Sequence, residues 1–271
     1  MIKIDAHQHI WDLKKFRYSW LTPDSPVLYR SRLPADVSPE MTRSGIDAAV
    51  LVQADGSVEE AYWLLELAGQ FNYIQGVVGW VDLTAPDLPA TLAALVAHPR
   101  FKGVRPSIDP GQDLEGLRPG LQILDHYKLA CDLLVSPEQL QGHLRLISDY
   151  PNITFVFDHM ASSFGAPGDV HAWKDWLKPV AARPNTVMKL SGYLTATPTK
   201  PLTPQALRPY VITGLELFGS ARLLYGSDWP VCTLAGSYTD TVAVLKAVTA
   251  ELSAQEQEDI WGKAAMRVYH L

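Results

Sequence analysis

The sequence predicts an α/β fold, a single-domain (β/α)8 TIM-like barrel. Three observations predict it. Eight short β-rich runs alternate with helix-length amphipathic runs along 271 residues, a length usual for this barrel. Several β runs are continuously apolar ("AAVLVQ", "ITFVF", "RLLYG"), as in parallel strands buried on both faces. Polar and ionisable residues gather at the C-terminal ends of these runs, the face where such barrels keep their active sites. The other arrangement of such elements, an open doubly wound sheet, often carries a Gly-rich phosphate turn after its first strand. None is present here.

In chain order, strands are expected at Ile2–Ala6, Ala48–Gln53, Ile74–Val81, Phe101–Pro106, Leu129–Val135, Ile153–Phe157, Thr186–Leu190 and Arg222–Gly226. A long first connection, residues 12–39, is rich in aromatic residues and proline, and loops of this length usually carry function. Helices are expected at Ser57–Phe71, where Ser57 and Glu60 have capping-box spacing, and at Leu88–Ala97, Leu117–Tyr127 and Pro137–Tyr150. Val170–Arg183, Pro204–Phe218 and Tyr238–Glu251 follow. The last, Ser253–Tyr269, opens with a second capping box, "SAQE". No internal repeat or linker interrupts the series, so residues 1–271 read as one domain.

Composition narrows the function. Hydrophobic residues make up 47% and charged residues 19% of the chain, with net charge −6. No Lys/Arg block exists to bind nucleic acid or anionic lipid. No apolar run approaches the ~20 residues of a membrane helix, and no secretory signal is expected. Two cysteines far apart, Cys131 and Cys232, argue against a disulfide framework and fit the cytoplasm. A homo-oligomer is compatible with the sequence, which does not fix the oligomeric state.

The predicted strand ends supply the candidate chemistry. Strand one ends in His7, His9 and Trp11, strand two in Gln53 and Asp55, and strand three in Trp80 and Asp82. Strand four offers Arg105, Ser107 and Asp109, strand six Asp158 and His159, strand seven Lys189 and Ser191, and strand eight Asp228. His7 and His9 are two residues apart, so on an extended chain both face one side. Neutral imidazole is a common metal ligand. Taken singly, each has a plain alternative: an exposed or core histidine, an aspartate capping a turn, or a buried ion pair for Lys189. Together at one barrel face, His7, His9, His159 and Asp228 read as a site. Asp158, if still extended, points away from His159 and would hold backbone.

The motifs "IDAHQHIW", "GVVGWVDL", "FKGVR", "FVFDHMA", "MKLSG" and "LLYGSDWPV" resemble the amidohydrolase superfamily over essentially the whole chain. They are most similar to its sugar lactonases, with the pyrone dicarboxylate lactonases as relatives. The resemblance implies a TIM-like barrel that hydrolyses a lactone or amide carbonyl. It implies that His7, His9 and His159 are metal ligands or carbonyl-polarising groups and that Asp228 is the acid/base. By ligand type, these four residues suit one divalent ion, zinc or manganese. Some related enzymes work without a metal, and the sequence leaves both forms open. No lysine ends strand four, so a carboxylated-lysine bridge between two ions is not expected. Where the sugar lactonases read "GVRH", this chain has Pro106.

A lactone substrate is the expected small-molecule partner, with no nucleic acid and no membrane. Catalysis is assigned to Asp228, His159 and Arg105. The expected substrate wall is Trp11, Tyr29, Arg30, Gln53, Trp80, Arg105 and Lys189, with Trp20 beside it. A pyrone dicarboxylate would require several convergent arginines, so a neutral sugar lactone suits this set better. A metal-dependent decarboxylase of an aromatic acid and a non-catalytic binding barrel are the other readings.

Overall fold

The structure, a computed structural model, describes residues 1–108, 114–135, 144–161, 169–193 and 203–271. Eight strands form one sheet in sequence order, every neighbouring pair parallel. They are β1 (Ile4–Gln8), β2 (Ala48–Val52), β3 (Ile74–Gly79), β4 (Phe101–Val104), β5 (Ala130–Leu133), β6 (Phe155–Phe157), β7 (Thr186–Leu190) and β8 (Leu223–Tyr225). A bridge between Gln8 and Trp229 brings β8 back to β1. The backbone N–H of Asp228 donates to His7 O at 2.9 Å, and that of His9 to Trp229 O at 2.7 Å. This closure removes the free sheet edges.

The helices are α1 (Pro34–Ser44), α2 (Val58–Gln70), α3 (Leu88–Val96), α4 (Arg118–Tyr127), α5 (seen at 144–149), α6 (Val170–Ala181), α7 (Pro204–Phe218), α8 (Tyr238–Thr249), α9 (Ala254–Glu258) and α10 (Ala264–Tyr269). The expected helix at Pro137–Tyr150 thus lies partly outside the described residues. A π-helical turn, Asp259–Lys263, joins α9 to α10. The "SAQE" capping box is formed: Ser253 Oγ accepts from Glu256 N and the Glu256 side chain from Ser253 N. At Ser57 only half forms. Ser57 Oγ accepts from Glu60 N, but the Glu60 carboxylate turns to accept from Ala54 N (2.9 Å) and Asp55 N (2.8 Å). It therefore pins the loop after β2.

One helix departs from expectation. α1 occupies Pro34–Ser44, so the first connection is shorter than residues 12–39. Its signals are Pro34 in the first turn and Gly45 as a left-handed C-cap (φ 68°). A second proline inside it, Pro39, gives the segment the look of a loop. The remaining connection folds on itself. Trp11 and Arg32 exchange backbone hydrogen bonds of 3.0 and 2.8 Å, and Trp11, Tyr18, Leu21 and Leu28 form a small core with Ala54. That is an Ω-loop packed by its own side chains.

The barrel interior is layered. Ile4, Ala6, Val50, Val52, Val78, Val156, Val187 and Leu224 pack inside, and Ala264, Ala265, Val268 and Tyr269 of the C-terminal helix join them. Side chains fill the barrel, as in other folds of this kind. Alternation along a strand would then turn His7 outward after Ala6. A bulge prevents this: Asp5 pairs with Ala49 but Gln8 with Leu51, so β1 holds one extra residue. The bulge shifts the phase and aims His7 and His9 inward. Asp5 secures it, accepting from Ser227 N (2.8 Å), His7 N and Gln8 Nε2 (both 3.2 Å), and Tyr238 Oη (3.2 Å). Burial raises the Asp5 carboxyl to about 6.

Candidate active site

The residues above the apolar layer are ionisable. His7, Asp132, Asp158 and Lys189 are wholly or almost wholly buried. Lys189 Nζ donates to Asp132 Oδ2 at 2.5 Å and lies 3.0 Å from both Asp158 Oδ1 and His7 Nδ1. Tyr269 Oη, from the C-terminal helix, donates to Asp132 at 3.0 Å. Arg105 Nη1 donates to Asp158 Oδ2 at 3.2 Å, and Nη2 to Gln53 O at 2.6 Å. Burial alone would raise the Asp158 carboxyl, but Lys189, His7 and Arg105 together hold it well below the usual range. Burial keeps His7 well below its ordinary pKa, so the ring is neutral.

Two expectations are corrected here. Lys189 is fully buried in an ion pair and does not line the cavity, because Asp132, one strand end the sequence reading left empty, faces it. Asp158 does not hold backbone; its side chain points inward, toward the two cations. It is free of His159 because the chain turns left-handed after it: His159, Met160 and Ala161 have φ of 51°, 56° and 54°. Such a turn in non-glycine residues is uncommon and marks functional positions. It swings His159 to the cavity, where Ser191 Oγ lies 3.0 Å from Nδ1 and accepts from the His159 N–H. Gly192 leaves room: a Cβ there would stand 2.9 Å from His159 Cβ.

Above this layer four groups converge. Nε2 of His7 and His9 are 3.1 Å apart. Asp228 Oδ1 lies 3.5 Å from His9 Nε2, 3.8 Å from His7 Nε2 and 4.0 Å from His159 Nε2. Gly226 permits this approach, since a Cβ there would stand 2.7 Å from His7 Cβ. Asp228 itself is left-handed (φ 56°), which aspartate tolerates better than most residues.

Proton placement follows from the partners. His9 Nδ1 meets Val52 O at 2.8 Å, and a carbonyl only accepts, so Nδ1 carries the proton and Nε2 presents a lone pair. His7 has two self-consistent states. In one, Lys189 donates to Nδ1 and His7 Nε2–H donates to His9. In the other, Nδ1–H faces Asp158 Oδ1, 3.2 Å away, and both Nε2 lone pairs turn to the same point. The second state suits a cation. Tetrahedral zinc, with bonds of about 2.0–2.1 Å, needs donor atoms roughly 3.4 Å apart. His7, His9 and Asp228 offer such a set, and His159 Nε2 stands beside it, 4.0 Å from Asp228 Oδ1.

These groups border a cavity of about 400 Å³ at the C-terminal mouth, lined by His9, Trp20, Gln53, Asp55, Arg105, Ser107, His159 and Asp228 among others. The size suits a small-molecule site. His7 lies beneath it. The aromatic wall differs from expectation. Trp11 is fully buried and gives its indole N–H to Arg30 O (2.7 Å), so it packs the Ω-loop. Tyr29 and Arg30 are exposed on that loop and do not line the cavity. Trp80 stands behind the lining, donating to Ser107 Oγ at 3.2 Å. Asp82 forms a turn with Thr84, and Asp109 lies outside the described residues. Pro106 is absent from this lining and borders instead a small apolar cavity together with Leu121, Cys131 and Ile147.

Known proteins agree with this architecture. The family model described as Amidohydrolase matches residues 4–271. L-fucono-1,5-lactonase of Burkholderia ambifaria is 37% identical over 88% of this chain and 83% of its own length. L-fucono-1,5-lactonase of Burkholderia multivorans is 32% identical over 100% of this chain and 96% of its own. Crystal structures of an amidohydrolase from Burkholderia multivorans, one with bound HEPES and one with bound zinc, superpose with TM-scores of 0.92 and 0.90. They are 31% and 32% identical, with both chains covered in full. From the closed parallel barrel, the paired histidines of its first strand and these relatives, it follows that the chain belongs to the amidohydrolase family.

Proposed function

We propose that this protein is a lactonase that opens a neutral sugar aldonolactone. The observation that carries the reading is the shared cavity of His9, His159, Arg105 and Asp228, in a chain whose relatives include two L-fucono-1,5-lactonases. Water lies against Asp228, whose carboxylate accepts its proton as the oxygen adds to the lactone carbonyl. In the metal-free form the developing oxyanion is met by His159 and Arg105, fixed by Ser191 and by Asp158 respectively, so little reorganisation is needed. With an ion bound, His159 would be a ligand and Arg105 alone would meet the oxyanion. Collapse breaks the ring C–O bond. Asp228 returns the proton to the leaving alkoxide, and the product is a hydroxy acid.

The quartet His7, His9, His159 and Asp228 fits one divalent ion, zinc or manganese. When bound, such an ion would lower the pKa of a water towards ~7 and polarise the carbonyl. Titrating zinc into metal-free protein is expected to fill one site per chain. His9→Ala should weaken binding by more than about 100-fold, beyond what loss of an outer partner costs. Two ions per chain, or unweakened binding by His9→Ala, would contradict the site.

Arg105 is the one arginine among the described lining residues, and Asp158 already neutralises it. That supports an uncharged substrate over a pyrone dicarboxylate. No helix among the described residues is long and apolar enough to cross a membrane. Both cysteines are free and buried, which supports a reducing cytoplasm. The test is acid release, above the uncatalysed rate, from a panel of aldonolactones. Turnover is expected on neutral sugar lactones. Release of CO2 from an aromatic acid with no lactone opened would replace this reading with a decarboxylase.

A further inference from the structure

The cavity has a second polar wall that the hydrolytic groups do not use. β2 lies opposite β6 in the eight-strand order. The loop after β2 therefore faces His159 across the mouth. Asp55 in that loop lines the cavity and is half-buried. Its carboxylate has no hydrogen-bond or ion-pair partner among the described residues, while Arg105, which reaches the same strand end at Gln53 O, is paired with Asp158. Nothing structural requires an acid here. The loop is held through its backbone, with Ala54 and Asp55 N–H groups on Glu60. Trp20 stands on the same wall, half-exposed, its indole N–H donating to Ala54 O at 2.7 Å and its ring edge-to-face with Trp11 at 5.3 Å.

We infer that Asp55 and Trp20 form a hydroxyl-reading subsite, which selects lactones by ring hydroxyls remote from the reacting carbonyl. The inference rests on the lactonase reading and adds to it what the substrate must carry. An ionised carboxylate only accepts hydrogen bonds, and two adjacent hydroxyls on a ring satisfy its two oxygens. A fixed indole beside it offers an apolar surface to the C–H face of the same ring. A substrate carboxylate at this wall would meet like charge, which builds rejection into the site.

The test compares L-fucono-1,5-lactone with δ-valerolactone, a six-membered lactone without hydroxyls, in wild type, Asp55→Asn and Asp55→Ala. Asp55→Ala is expected to lower kcat/KM on the sugar lactone by about 10- to 100-fold, chiefly through KM. Its kcat/KM on δ-valerolactone should fall far less, so discrimination between the two collapses, with Asp55→Asn in between. A matching thermal midpoint verifies that the variants are folded. If both substrates lose activity in parallel, or neither does, the subsite is wrong while the lactonase reading stands. If wild type opens neither lactone nor any other aldonolactone, the lactonase reading fails and takes the subsite with it.

Discussion

Asp228→Asn is expected to lower kcat/KM on an aldonolactone by about 10³-fold, in the range that a positioned general acid–base group contributes. The carboxamide keeps the size and shape of the side chain but has no oxygen basic enough to take the proton of water. The substitution also preserves the fold. The residue is joined to its neighbours through its backbone, N–H to His7 O and C=O from Cys232 N–H. Asparagine accepts the left-handed backbone at this position (φ 56°), whereas Asp228→Ala adds strain that mixes two effects. Initial rates with a thermal midpoint near that of wild type check the outcome. A loss under about tenfold would remove Asp228 from the proton transfer.

Lys189→Met is expected to be the most destabilising single change at the site, by about 3–5 kcal/mol, the cost of breaking a buried ion pair from one side. Lys189 stands between Asp132 and Asp158 with no exposed atoms to carry its charge to water. Without it, two carboxylates share a dry layer with Arg105 and His7 against Asp158 and Tyr269 Oη against Asp132, but no lysine charge between them. Burial already raises the Asp132 carboxyl to about 6 beside Lys189. Urea midpoints measure the loss. Adding Asp132→Asn to Lys189→Met should recover part of it, because the layer is then left with one buried acid. A single variant within about 1 kcal/mol of wild type would mean that the layer is far more hydrated than its burial implies.

The parts of this structure that local pattern controls were legible. Continuous apolar runs gave the strands because both faces of a parallel barrel strand are buried. The strand ends then located His9, Gln53, Arg105, His159 and Asp228, all at the mouth. What pairing decides was hidden. The β1 bulge that re-aims His7 depends on register with β2. Asp132 has no sequence signal, since "LACDLLV" reads as an ordinary strand until Lys189 arrives from β7. The same pairing turned Lys189 from a substrate contact into an internal cation. Trp11 and Trp20 are alike in sequence, yet one fills the Ω-loop core and the other lines the cavity. Only the loop's closure on Arg32 separates them. The left-handed turn at His159–Ala161 was equally unreadable, because none of its residues is glycine.

The most direct measurement is acid release in a lightly buffered solution of L-fucono-1,5-lactone, followed for wild type and Asp228→Asn side by side against the uncatalysed rate. The account predicts rapid, stoichiometric acid production by wild type, with one proton per ring opened, and a rate near background for Asp228→Asn. Equal rates for the two proteins, or no acid from any aldonolactone with wild type, would contradict it.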